Sequence, residues 1–222
     1  MKVVVIGAGA MGAPSAQMLA ERGHAVTLLD RYGVPNLQGG SGFGLRSFRL
    51  SHNAREDVRL ALRALELYLD LQQRSGRTLY TRRGILHLGA VVEPMSRAFA
   101  AENVPYRDLD PAEVRSIFPE FRPRADQPAM FQPDGGVNHC VDLLLACCEL
   151  ATARGAEVSP RERAVTLTPL PAGGVRVFTD RRRIDADVVV VAVGPWANEL
   201  LEPIGLGLPL QPGLAQVSHF RG

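Results

Sequence analysis

Two groups of residues in this sequence have the types and spacing for chemistry. The first is Gly7-Ala8-Gly9-Ala10-Met11-Gly12, with Asp30 eighteen positions after the last glycine. Glycines at this spacing, after a strand and opening a helix, suit a dinucleotide. Gly7 permits the tight turn, Gly9 lets a pyrophosphate approach the backbone, and Gly12 lets helix and strand pack closely. The helix start adds free N–H groups and a dipole that favours phosphate. An acid at Asp30 accepts from an adenosine ribose and repels a 2′-phosphate, which disfavours NADP. The second group is "GGSGFGLRSFRL", residues 39–50, where Arg46 and Arg49 follow a run of glycine and serine. Glycines let the backbone approach a ligand closely, and a guanidinium suits carboxylate or phosphate, so a second phosphate cradle, a flexible lid and a place of chemistry all stay open. The plain alternatives are a glycine turn without a ligand and two solvated arginines in a flexible loop.

The elements that position these groups follow from pattern. Lys2 to Ile6 reads as a β-branched strand, a helix starts near Ala10 or Met11 and stops at Gly23, and Ala25 to Leu29 is the next strand. Pro14 falls in the first helical turn, where its missing N–H costs nothing. Leucines recurring from about Ala54 to Arg74, closed by Gly76, predict a long helix. "TLYTRRGILHLG" predicts a hairpin or two short strands turning at Arg83–Gly84, and residues 93–102 a helix. Asp110 with Pro111 predicts a capped helix start. "AMFQPDGGVNH" gives a strand and a tight turn, and Val141 to Arg154 a helix ending at Gly155. The remainder is β-rich (157–159, 163–168, 175–179), and "IDADVVVVAVG" reads as one continuous buried parallel strand. "PWANELL" starts a short helix, and "LPLQPGLAQVSHF" is extended.

Composition excludes several classes. The 222 residues carry 25 basic and 23 acidic side chains, a net charge of +2, which gives no reason to expect nucleic acid or an anionic membrane as partner. No apolar run is long enough to span a bilayer, and "MKVVVIGAGAMG" lacks the core and cleavage site of a leader. Cys140, Cys147 and Cys148 make no metal or disulfide framework and read as small buried helix residues, so the cytosol is the expected compartment. His24, His52, His87, His139 and His219 show no metal spacing. Arg181 to Arg183 reads as a solvated turn.

The first thirty residues fit two cofactor classes. "GAMGAP", "GH" and "DR" are similar to the opening of the NAD-dependent β-hydroxyacid dehydrogenases, and on these alone the choice stays open. The continuation argues against that class: a glycine-rich arginine loop and a twenty-residue helix come next, and the next long apolar strand arrives only at 188–193. In this order the chain resembles the flavin-dependent amine oxidases of the D-amino acid oxidase superfamily, closest to the monomeric sarcosine oxidase and N-methyltryptophan oxidase branch. The resemblance runs through "VVVIGAGAMG", Asp30, "GSGFGLRSFRLSH", "VRLALRALELYLDLQ", "RRGILHLG", "FQPDGGV", "VVVVAVGPWANELL" and "LPLQP".

The resemblance implies an α/β fold: a Rossmann-like FAD-binding domain with part of a second, mixed-sheet α+β substrate domain. It implies the segments 1–80 and 140–205 for the first, and 81–139 and 206–222 for an incomplete second. It implies FAD as cofactor, held by Gly7, Gly9, Ala10, Met11, Gly12, Asp30, Arg31 and Ser41, with Ala164 at a backbone contact to adenine and Gly194 and Trp196 returning beside the dinucleotide. Arg46 would lie against the flavin ring and Arg49 would hold the carboxylate of a small amino-acid or amine substrate. The implied reaction oxidises the C–N bond to an imine, with hydride to flavin and peroxide from oxygen. Phe43 stands where the family usually has histidine, and the loop is one residue shorter. The family's chains are longer, and its covalent flavin-bearing cysteine and oxygen-activating lysine are not matched here. A chain ending at "VSHFRG" is therefore expected to expose unpaired strand edges and to need a C-terminal half or second subunit. A nicotinamide-dependent hydroxyacid dehydrogenase and a truncated, non-catalytic dinucleotide-binding chain are the alternatives.

Overall fold

The computed structural model describes residues 1–213 except Leu37 and Phe43. The Phe43 departure and the extended segment expected beyond Gly213 therefore lie outside the described residues. In chain order the elements begin with β1 (Lys2–Ile6), α1 (Gly12–Glu21), β2 (Ala25–Asp30), β3 (Leu45–Phe48), α2 (Arg55–Ser75), β4 (Tyr80–Arg82) and β5 (Ile85–Leu88). They continue with α3 (Val92–Glu102), β6 (Arg107–Asp108), α4 (Pro111–Ile117), β7 (Ala129–Gln132), β8 (Gly136–His139) and α5 (Cys140–Ala153). The last are β9 (Glu157–Pro160), β10 (Ala164–Pro169), β11 (Val175–Thr179), β12 (Arg183–Ala186), β13 (Val188–Val191) and α6 (Ala197–Leu201).

Packing divides the chain into two units. One joins Met1–Gly42 to the chain from Cys147 onward; the other is the intervening stretch, up to Ala146. This partition differs from the segments that the resemblance implies, because α2 packs on α3 and so groups with the second unit.

The first unit is built on a parallel sheet ordered β13-β1-β2-β9. Val3, Val4, Val5 and Ile6 are all buried, as expected of a strand covered on both faces. Helix α1 presents Gly12, Ala13, Ala16 and Ala20, small residues that let it approach the sheet closely. A second, antiparallel sheet β10-β11-β12 contributes Ala164, Leu167, Val177 and Ala186 to a core shared with Val4, Ile6 and Leu29. The "IDADVVVVAVG" run is not one strand. It breaks at Asp187, whose carboxylate accepts the Lys2 N–H at 2.7 Å and whose own N–H donates to the Lys2 carbonyl at 2.9 Å. That clamp ends β12, which runs antiparallel to β11, and starts β13, which runs parallel to β1. β13 is also only partly buried, being outermost in its sheet.

Arg181–Arg183 is exposed, as expected of a solvated turn, and within it Arg182 is also ion-paired. Its guanidinium donates to Glu162 at 3.0 and 3.2 Å, to Glu157 at 2.5 Å and to Ser159 at 3.1 Å. Glu162 is only 3% exposed, and the paired Arg182 holds Glu157 below the usual carboxylate range. Arg182→Ala leaves a buried carboxylate without its cation. It is expected to cost about 2 kcal/mol, less than for a fully buried pair because the arginine is partly solvated. Urea unfolding checks this, and an unchanged midpoint would show that the pair contributes nothing net.

The second unit holds two three-stranded sheets, β3-β8-β4 and β5-β7-β6. The hairpin alternative for "TLYTRRGILHLG" is not what forms: β4 pairs with β8 while β5 pairs with β7. The N–H groups of Arg83 and Gly84 both donate to the Gly135 carbonyl, at 3.1 and 2.8 Å, and carry the chain from one sheet to the next. Gly84 takes φ +73°, and a Cβ there would press on the Phe131 ring. Helix α2 ends at Gly76 in the left-handed conformation. Helix α4 starts with the expected Asp110 cap, completed by Glu113 into a capping box. Phe48, Leu50, Val58, Phe99 and Met130 form the main core of this unit. Among the described residues no helix is long and apolar enough to cross a membrane.

Candidate functional site

The glycine turn lies in the first unit, between β1 and α1. Gly7 adopts φ +98°, and a Cβ on it would meet the Ala192 carbonyl oxygen at 2.5 Å. A Cβ on Gly12 would fall 1.7 Å from the Gly7 carbonyl oxygen, a clash with backbone. A Cβ on Gly9 would touch only Ser41 Oγ, at 3.4 Å. Gly7 and Gly12 are thus glycine for the protein's own packing, whereas the space at Gly9 is open for a ligand.

The surrounding groups fit a pyrophosphate. Helix α1 has no side-chain cap at Met11 and no acid in its first turn, so its N-terminal dipole is not answered by the protein. The N–H groups of Gly9 and Met11 have no acceptor among the described residues, and Met11 is 75% exposed. Ala10 donates its N–H to Ser41 Oγ at 3.0 Å, which fixes the serine of the second loop against the turn.

Asp30 does more than the sequence suggested. It is buried, and its Oδ2 accepts the Ala8 N–H at 2.9 Å. Its Oδ1 accepts the N–H groups of Tyr32 and Gly33, each at 2.9 Å, and Asn36 Nδ2–H at 3.4 Å. The carboxylate therefore stitches the glycine turn to the end of β2, and Oδ2, with one donor, keeps a lone pair for a hydroxyl.

Beyond β2, Arg31 lies over the Tyr32 ring, 5.1 Å from its centroid, and pairs with Glu199 at 3.7 Å. Tyr32 and Trp196 meet at 6.2 Å between ring centroids. The expected residues Arg31 and Trp196 are thus joined through Tyr32, which sequence reasoning passed over. Its only signal was an aromatic residue directly after a strand end. Ala164 is buried at the start of β10, and Gly194 takes φ +61° just before Trp196. None of the three cysteines is exposed: burial, with Asp30 and Glu149 adding, pushes the Cys148 thiol up to about 11.

The two arginines lie in the second unit. Arg46 is in β3, opposite Asn138 of β8. Arg49 is exposed one residue past the end of β3, and its guanidinium has no carboxylate partner among the described residues. Nearby, Ser51 Oγ and His87 Nε2 share a hydrogen bond of 2.6 Å. Burial, with the Arg49 charge adding, holds the His87 pKa below its usual value. The sequence offered His87 only as an ordinary strand histidine, and no spacing pointed to its partnership with Ser51.

The model of the FAD dependent oxidoreductase family matches residues 2–222. The chain is 30% identical to a monomeric sarcosine oxidase of Bacillus sp. (strain B-0618), over 98% of this chain and 57% of that protein. It is 32% identical to the monomeric sarcosine oxidase of Streptomyces avermitilis, over 94% of this chain and 56% of that one. It thus spans a little over half the length of these curated relatives. Among solved structures it is similar to NikD, described as an unusual amino acid oxidase essential for nikkomycin biosynthesis, with a TM-score of 0.82 and 34% identity. That match covers 91% of this chain and 53% of NikD. The nicotinamide-dependent alternative is thereby set aside. With a glycine cradle on a parallel sheet and a family match along nearly its whole length, the chain belongs to the FAD-dependent oxidoreductase family.

Proposed function

We propose that this chain serves the FAD-dependent oxidation of a small secondary or primary amino acid of the sarcosine type, taking its C–N bond to the imine. Gly7, Gly9, Ala10, Met11 and Gly12 form the pyrophosphate cradle: the N–H groups of Gly9 and Met11 and the helix start are its donors, while the Gly7 N–H on the Leu29 carbonyl and the Ala10 N–H on Ser41 Oγ fix its shape. Asp30 and Arg31 hold the adenosine side, with the Ala164 backbone, while Ser41, Gly194 and Trp196 complete the dinucleotide contacts. Arg46 serves the flavin ring, where a cation favours arriving negative charge, and Arg49 binds the substrate carboxylate. FAD, when bound, would supply the two-electron oxidation of the C–N bond and its reoxidation by oxygen. The protein's own share is to bind, orient and balance charge.

The observation that carries the substrate class is Arg49: an exposed guanidinium with no carboxylate partner among the described residues, next to a glycine-rich loop. Such a group is disposed to accept an anionic ligand through paired bonds. In the flavin-loaded protein, Arg49→Ala is expected to raise KM for an amino-acid substrate about 30-fold, or roughly 2 kcal/mol. It is expected to leave KM for an amine lacking the carboxylate unchanged. Peroxide release under varied substrate checks this. Equal effects on both substrates would remove Arg49 from carboxylate binding.

A further inference from the structure

Gln132 ends β7 with its side chain on the same face as Met130, two residues earlier. That face belongs to the apolar core that holds Met130 with Phe48, Leu50, Val58 and Phe99. Gln132 is wholly buried, at 0% exposure, yet neither its Oε1 nor its Nε2 has a hydrogen-bond partner among the described residues. A primary amide offers two donors and two acceptor lone pairs. Native interiors rarely leave such a group unanswered, since its desolvation then goes uncompensated. Methionine, of similar volume, would fill the same space without that penalty, so the amide calls for a partner.

Strand register brings one polar side chain to the same face of the sheet. β5 places Ile85 opposite Gln132 and His87 opposite Met130. His87 is therefore the diagonal neighbour of Gln132 on one face of the sheet, at a separation of roughly 7–8 Å, within reach of long side chains. Its Nε2 shares a hydrogen bond with Ser51 Oγ, and Ser51 is itself buried, at 1% exposure. Its Nδ1 has no protein partner among the described residues. Three polar side chains thus enter one face of an otherwise apolar core, and two of them retain bonding capacity. Gln132 and Ser51 are buried and His87 half-buried, and two to four polar partners are what an internal water requires.

We infer that the second unit contains an internal hydration site, in which one or two ordered water molecules bridge the Gln132 carboxamide to the Ser51–His87 pair. The site ties β7 to the segment after β3 that carries Arg49 and Ser51. It is independent of the flavin reading, and no cofactor or substrate is needed to detect it.

The test uses the full chain with glutamine-selective 15N labelling and assignment through the backbone. Water-selective NMR cross-relaxation is expected to show a long-lived contact at the Gln132 side-chain amide protons. Gln132→Met is expected to abolish the contact and to lower the melting temperature by several degrees, because the water loses its principal partner. Absence of the contact in the parent protein overturns the inference whatever the variant does. A higher melting temperature in Gln132→Met would then show that the amide stands unpaired. Because the decisive readout is on the unaltered chain, a variant that fails to fold leaves the test intact.

Discussion

Gly12→Ala is expected to weaken FAD binding at least 100-fold, or about 2.7 kcal/mol, and to reduce the yield of folded protein. The added Cβ would lie 1.7 Å from the Gly7 carbonyl oxygen and 2.9 Å from its carbon. Both are backbone atoms, so no rotamer change relieves the overlap; the turn itself has to move, and overpacking of this kind costs about 1–3 kcal/mol or more. Moving the turn displaces the N–H groups of Gly9 and Met11 from the positions that would face phosphate. Gly9→Ala makes the informative contrast. Its Cβ would meet only Ser41 Oγ at 3.4 Å, so stability should change by less than about 0.5 kcal/mol while FAD affinity still falls. Titration by flavin fluorescence, read beside thermal unfolding, separates the two. Equal loss of stability in both variants would mean that Gly9 also serves packing, and its assignment to the ligand would fail.

Asp30→Ala is the second large effect, expected to remove about 3–5 kcal/mol of stability together with FAD binding. Truncation leaves the buried N–H groups of Ala8 and Gly33, and the partly buried one of Tyr32, without their acceptor. A buried donor that loses a charged acceptor bears its full desolvation cost. Set against a total stability of about 5–15 kcal/mol, the loss is severe. Asp30→Asn, with a single oxygen acceptor, should fall between the two because it can serve Oδ1 or Oδ2 roles but not both. Urea unfolding measures the series. A parent-like midpoint in Asp30→Ala would show that the hydrogen bonds at the end of β2 contribute nothing net, and would leave ligand binding as the residue's only role.

The contrast between these two residues explains what the sequence could and could not tell. The glycine spacing and the β-branched strand before it were enough for the cradle, because each glycine answers a local steric demand that a pattern records. Asp30 was legible as an acid at a strand end. Its bonds to Ala8, Tyr32 and Gly33 were not, since they depend on how the loop after β2 folds back. Helix α4 was readable because Asp110 and Pro111 act within a single turn. The break at Asp187 was hidden for the opposite reason: the apolar run "DVVVVAV" looks continuous, and only the distant Lys2 backbone shows where one sheet hands over to another. The pairing of Arg182 was not legible because its partners, Glu157 and Glu162, lie 25 and 20 positions earlier. Short-range charge pattern carries no trace of a pairing between segments so far apart in sequence.

The roles proposed for Arg46 and Arg49 rest on the likeness of "GLRSFRLSH" to a family rather than on any packing rule. Strand β3 is four residues long, with one buried side chain, Phe48. A strand so short gives little periodic signal. The physical support for Arg49 is its exposure without a carboxylate partner among the described residues, a state that other exposed arginines such as Arg22 and Arg115 share.

The central claim is that this chain binds FAD through the Gly7–Gly12 turn, and the most direct measurement is the visible absorption spectrum of the purified chain after incubation with FAD and gel filtration. The account predicts that flavin bands travel with the protein and are lost in Gly9→Ala. A protein fraction without flavin absorbance, with all FAD eluting as free small molecule, would contradict it.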